Sequence, residues 1–223
     1  MRKILFLILF LFSFLNFNFV LSEDSITSDF DCSEFDCDAF TWLEFLKDIL
    51  LDLELDSANN LALKWIINDN SLNPELYNLD SVALRQEIAL VSRRVSWIEE
   101  KEACNNVFSD ISLTSPNDWA CKNIEALVEN DLISRNESFR PEDNISKSEA
   151  LIMFVKAIWF KDFKIDNDSE KNWQEQVVEF SVNIWIVEHF TDYNEKAKRW
   201  WIFQIADFAI NIKEERTEKW TWN

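Results

Sequence analysis

The sequence predicts a mainly α-helical fold built from repeated helix–loop–helix units, and three observations predict it. Apolar residues recur at three- and four-residue steps in separate windows, the period of helices with one buried face. Basic residues near the start of three such windows stand at positions 85, 147 and 199, which are 62 and 52 residues apart, a spacing that signals repeats. Between Cys104 and Ile158 all parts of one unit follow in order. These are Phe-Ser-Asp, a Pro-Asn-Asp-Trp-Ala helix start, an amphipathic helix, a polar loop ending in Phe-Arg-Pro, and Ile-Ser-Lys-Ser-Glu-Ala opening a second helix.

At the N-terminus Met1-Arg2-Lys3 precede the uncharged run ILFLILFLFSFL, and Val20-Leu21-Ser22 precede Glu23. A basic end, a short apolar run and small residues before a cut describe a secretory signal peptide over 1–22. The alternative is an uncleaved membrane anchor, although Asn16 and Asn18 interrupt a span that wants about 20 apolar residues. The segment places the protein outside the cytoplasm, and membrane contact is expected only through this segment if it is not removed.

Cleavage leaves 20 basic and 41 acidic residues, a formal charge of −21. So much acid argues against a nucleic-acid partner, whose phosphates demand basic patches. Four cysteines in a secreted chain are expected to be oxidised. Cys104 and Cys121 bracket the loop and helix start of the best-formed unit and are paired, with Cys32 to Cys37 by default. Zinc has less support, because no CxxC is present and His189 is the single histidine.

Residues 23–57 begin as an acidic leader in which Asp29, Asp31, Glu34, Asp36 and Asp38 alternate with Phe and Cys. No regularly spaced oxygen ligands with a closing Glu mark a calcium loop there, and a solvated leader is the simpler reading. From Phe40 to Leu55 the pattern turns helical, either a separate packing helix or the start of the first unit. That unit, over 58–97, ends a short helix with Leu61, Leu63 and Ile66, and a loop runs through Asn73-Pro74 to Tyr77. Asp80 or Ser81 then caps a helix with Leu84, Ile88, Val91 and Val95 on one face.

In the second unit, over 104–160, Asn117 or Asp118 caps a helix with Ala120, Ile124, Leu127 and Val128 inward. Ser146-Lys-Ser-Glu149 is a capping box ahead of Leu151, Phe154, Val155 and Ile158. The third unit, over 163–212, uses Val177, Val178, Ser181 and Ile184 after Asn172-Trp173-Gln-Glu, then Ile202, Phe203, Ala206 and Ile210 after Arg199. The tail 213–223 is charged and expected to fray.

The order of motifs in Cys104–Ile158 resembles the S-layer homology (SLH) module, a non-catalytic unit that holds surface proteins on bacterial cell envelopes. Arg85-Gln-Glu87 and Arg199 stand at the same motif position in weaker copies; Leu84 replaces the hydroxyl in the first, and Trp201 the acid in the third. The resemblance implies three SLH-like repeats packed about a pseudo-threefold axis, with grooves that receive an anionic or modified cell-wall polysaccharide. Carried over by position, the groove cations are Arg85, Lys147 and Arg199, with Trp119 and Trp173 as candidate aromatic contacts.

Each of these residues has a competing role. Arg85 and Arg199 could instead offset neighbouring acids, and Lys147 could be a solvated side chain. Glu149 reads first as the partner of the Ser146 cap, with Glu87 in a similar structural part. Trp119 and Trp173 read first as wedges between units.

No glycine occurs in 223 residues, where average usage predicts about 15, while there are eleven tryptophans. Trp65 and Trp185 occupy a slot at a helix end where SLH repeats normally carry glycine, and Asp131 takes it in the second unit. A left-handed helix cap suits glycine and is an outlier for a bulky residue. Trp97, Trp159 and Trp200 invite the same comparison. The expectation is that the codons at 65, 97, 159, 185 and 200 are UGA read as glycine.

No catalytic constellation is visible: no nucleophile motif is present and the carboxylates form no recognisable acid–base pair. The expected function is non-covalent attachment to a cell-wall glycan at the cell surface, without enzyme activity, cofactor or metal. The alternatives are a structural protein of a surface layer acting through protein–protein contacts, and a non-catalytic subunit or fragment of a surface enzyme.

Overall fold

A computed structural model of the protein describes residues 39–111, 114, 117–159 and 163–221. The chain divides into two units, Met1–Leu43 and Glu44–Asn223. Only 39–43 of the first are described, and the packing of the helices belongs to the second. The signal peptide, the leader before Ala39 and the Cys32–Cys37 pair lie outside the described residues.

The described residues are mainly α, with no sheet. Six helices follow in order: α1 Ala39–Leu63, α2 Arg85–Val95, α3 Asp118–Glu129, α4 Lys147–Trp159, α5 Trp173–Asn183 and α6 Arg199–Thr221. A single 3-10 turn spans Pro74–Tyr77. Helices α2, α4 and α6 contact one another pairwise, α3 lies against α2, and α5 lies against α4. Side chains tie α1 to α6: Asn60 Nδ2 donates to Asp207 at 3.4 Å, and Lys64 reaches Asn211 and Glu214.

The centre of this arrangement is a closed ring of backbone hydrogen bonds. The N–H of Ala83 donates to the carbonyl of Ala197 at 2.9 Å, Ala197 to Ile145 at 3.0 Å, and Ile145 back to Ala83 at 3.0 Å. A second ring runs one step outward, from Arg85 to Asp143, Lys147 to Glu195 and Arg199 to Ser81. Ala83, Ile145 and Ala197 are fully buried, so each bond satisfies groups that water cannot reach. Around them the helix faces bury Ile88, Val95, Leu151, Phe154, Ile202 and Ile210, while α3 and α5 add Ile124, Leu127, Val177 and Val178. Each such aliphatic or aromatic side chain contributes about 1.5–3 kcal/mol on burial.

Ser146 and Glu149 form the expected capping box: Ser146 N–H donates to Glu149 at 3.0 Å and Glu149 N–H to Ser146 Oγ at 3.2 Å. Four helix ends close by a common backbone pattern. Trp65, Trp97, Asp131 and Trp185 have φ of 60°, 58°, 61° and 65°. The next residue's N–H reaches back five positions, as in Ile66 to Leu61, Ile98 to Arg93, Leu132 to Leu127 and Ile186 to Ser181. This is the Schellman closure, in which a left-handed residue lets the chain satisfy two orphaned carbonyls.

Several expectations are corrected. Trp159 is the last residue of α4 and Trp200 the second of α6, so both are helical and neither is a left-handed cap. Lys-Arg-Trp-Trp begins a helix instead of ending one, with Trp200 N–H bonded to the Leu79 carbonyl. Helix α2 starts at Arg85 with Leu84 as its cap residue, not at Asp80 or Ser81. The reason is the ring: Ala83 must stay outside the helix to bond Ala197.

Helix α1 is continuous to Leu63, which is 78% exposed because the face carrying Leu61 points inward. The tail is helical through Thr221, held where Lys213 Nζ donates to the Ser96 carbonyl. Trp119 and Trp173 are 45% and 37% exposed, so they are not core wedges. Both lie in the first turn of their helices, where the side chain overhangs solvent.

Candidate functional site

The ring brings the starts of α2, α4 and α6 together, and with them the three motif cations. At two corners the N-terminal basic residue reaches across to the third residue of another motif helix. Arg85 Nη1 meets Glu149 Oε1 at 2.8 Å, and Arg199 Nη2 meets Glu87. At the third corner the acid is replaced by Trp201. There Lys147 Nζ lies 5.6 Å from the Trp201 ring centroid and 5.9 Å from that of Phe190, and pairs with Glu195 at 2.6 Å. The aromatic contacts and the Glu195 pair thus take the place of the helix-to-helix bridge made at the other two corners.

The Arg85 corner is the most elaborate. Arg85 Nε donates to the Phe139 carbonyl at 2.9 Å, and its guanidinium carbon lies 5.0 Å from the Phe139 ring centroid. Glu149 also accepts from Arg140 Nη2 at 2.9 Å. Burial pulls the Arg85 guanidinium below its ordinary value while Glu149 pushes it back up. For Glu149 burial raises the carboxyl, but the Ser146 N–H, Arg85, the Ser146 hydroxyl and Arg140 together hold it below its usual range.

The Phe-Ser-Asp motif explains how Arg140 is aimed. Asp110 accepts the backbone N–H groups of Phe139 and Arg140 at 2.9 and 2.6 Å. That fixes Arg140 at a φ of 60°, with its side chain 54% exposed. Phe108 packs on Phe139 with ring centroids 5.6 Å apart. Beside it, the Cys104–Cys121 disulfide spans 17 residues and clamps the preceding loop to α3. Glu125 adds two bonds to that loop, accepting from Asn105 and Val107 N–H groups at 2.8 and 2.9 Å. Cys104, Cys121 and Glu125 also form a group of potential metal ligands among the described residues, but here the two sulfurs are bonded to each other.

Of the residues expected at the site, Arg85, Lys147, Arg199, Glu87 and Glu149 are brought together at this junction. Trp119 and Trp173 lie at the starts of α3 and α5 instead. Missed in the sequence were Arg140, left without a role, and the pairing of Lys147 with Trp201, Phe190 and Glu195. The 85/147/199 spacing carried that signal once the helices are placed in a ring.

Residues 107–151 match the family model of the S-layer homology domain. The chain carries an SLH domain at those residues, running from the loop before α3 to the first turns of α4. No curated protein matches the chain. An SLH domain is a non-catalytic unit that implies cell-wall anchoring through secondary cell-wall polymers, and with it a cell-surface location. No helix among the described residues is long and apolar enough to cross a membrane.

Proposed function

We propose that the chain anchors non-covalently to an anionic cell-envelope glycan and performs no chemistry of its own. The single observation that carries this reading is the SLH domain at 107–151. In this reading 58–97 and 163–212 are diverged copies of the same unit, each supplying one motif helix to the junction. Arg85, Lys147 and Arg199 give the grooves between the motif helices their positive floor, and Glu87 and Glu149 hold the two arginines in place.

Because the three cations are committed to internal partners, the direct contacts fall to more exposed neighbours. Arg140 also pairs with Glu149 and Asp143, but its side chain is 54% exposed and its planar fork can turn to a carboxylate or ketal acid, while Trp119 and Trp173 offer flat faces to sugar rings. The acidic remainder of the surface repels bulk polyanion, so binding concentrates where these cations lie.

The test is sedimentation with purified cell-wall sacculi. The parent protein is expected to co-sediment, and Arg140→Lys with Trp119→Ala to lose about tenfold or more in affinity while the circular dichroism spectrum at the assay temperature stays that of the folded parent. An Arg85, Lys147 and Arg199 triple-Ala variant that stays folded and sediments as well as the parent counts against the groove reading. Failure of the parent itself to sediment favours the surface-layer assembly role.

A further inference from the structure

The tryptophans among the described residues fall into two groups by backbone geometry, and the division says what three of them are. Trp65, Trp97 and Trp185 all have left-handed backbone. The other left-handed residues among those described are Asn78, Asn106, Asp131 and Arg140. Asn and Asp reach that region more readily than other side chains, and Arg140 is held there by Asp110. Tryptophan has no such excuse: its Cβ crowds the following carbonyl, and the region is an outlier for a bulky residue.

A strained side chain persists when its packing repays the strain. These three are 86%, 49% and 66% exposed. The strain therefore sits beneath indoles that are about half exposed or more. At Trp97, Lys213 Nζ lies 4.7 Å from the ring centroid. That ammonium is already placed by its bond to the Ser96 carbonyl at the end of α2, so the ring is not what holds it. Trp201 behaves oppositely: it is helical, half-buried, and engaged by Lys147 and by Phe190 edge-on at 6.3 Å.

Glycine is the residue that reaches the left-handed region without steric cost, and the chain has none of it. Yet seven positions among the described residues lie there. We propose that the protein as made in its host carries glycine at 65, 97 and 185, from UGA codons decoded as glycine, and tryptophan at 119, 173 and 201. The substitution removes the Cβ clash at three Schellman closures and leaves every backbone hydrogen bond of those closures in place. It also uncovers the backbone at the ends of α1, α2 and α5, where the indoles now overhang.

The test is mass spectrometry of tryptic peptides from the protein isolated from its own host. Cleavage after Lys171 and Lys196 releases 172–196, which holds Trp173 and position 185 together. This peptide is expected to be lighter by one tryptophan-to-glycine difference and not two. The peptide 95–101 carries position 97 alone, and 65–85 carries position 65 alone. Both are expected to be lighter by the same difference, and 200–213, with Trp200 and Trp201, unchanged. Intact tryptophan at 65, 97 and 185 overturns the proposal.

A second measurement needs no native material. Recombinant protein with Trp65→Gly, Trp97→Gly and Trp185→Gly together is expected to melt roughly 5–15 °C above the tryptophan form. Trp201→Gly is expected to lower Tm. A triple variant that melts below the tryptophan form shows the indoles to be structural and removes the physical ground for the proposal.

Discussion

Replacing Glu149 with Gln tests whether the three motif helices are held by charge exchanged between them. The carboxylate accepts from Arg85 at 2.8 Å, from Arg140 at 2.9 Å and from the Ser146 N–H at 3.0 Å. The amide keeps one acceptor oxygen, so the cap bond survives, but Arg85 loses its counter-ion. The Arg85 side chain is only 12% exposed and cannot recover full hydration. Breaking a fully buried pair costs about 3–5 kcal/mol; partial exposure of Glu149 brings this to about 2–3 kcal/mol.

For a unit of this size that is a fall in Tm of roughly 5–10 °C at pH 7, read by circular dichroism. The pH dependence has a definite sign. The carboxyl titrates lower in the folded chain than in the unfolded one, so its contribution is present above the unfolded value of about 4.5. It is lost as pH falls through the folded value. The gap between parent and Glu149→Gln therefore closes in acid. A Tm within about 1 °C of the parent at pH 7, or a gap that persists unchanged at about pH 3, refutes the reasoning.

Other perturbations have their own expected outcomes. Cys104→Ser with Cys121→Ser opens a loop of 17 residues and is expected to cost about 3 kcal/mol by chemical denaturation, matched by adding reductant to the parent. Trp201→Leu removes the face under Lys147 and is expected to cost about 1–2 kcal/mol, while Trp201→Glu restores the acid found at the other two corners and costs less. Lys213 is pushed down to about 8 by burial, so between that value and its ordinary one the unfolded chain holds more protons and stability rises with pH. Lys213→Met is expected to flatten that rise in denaturation measured from about pH 8 to about pH 10.

What the sequence disclosed was what lies close along the chain. The Ser146–Glu149 box, the Cys104–Cys121 pair and the left-handed turns at 65 and 185 each depend on residues within one turn or one loop. The order of α2, α4 and α6 followed from apolar spacing, because a helix face is written at three- and four-residue steps. Which cation meets which acid was hidden, since Arg85 and Glu149 are 64 residues apart. Nothing local distinguishes that pair from a surface charge.

The misplaced start of α2 has the same origin. Asp80 and Ser81 are good caps, but Ala83 is claimed by Ala197, more than a hundred residues away. The tryptophan wedges failed because a helix start gives a large side chain either of two directions, and only the packed structure chooses between them.

The closed ring at Ala83, Ile145 and Ala197 has a kinetic consequence. Its first member cannot find its last until almost the whole array has been synthesised, so the circle closes late and at once. The 107–151 segment contains only one of its three members, Ile145, so both links made through that residue reach outside the segment, and the excised piece is expected not to fold alone. Once closed, no link opens without disturbing both others, so the three amide protons are expected to exchange with solvent at one common slow rate, set by global unfolding. A fold put together from separable modules would instead show three independent rates.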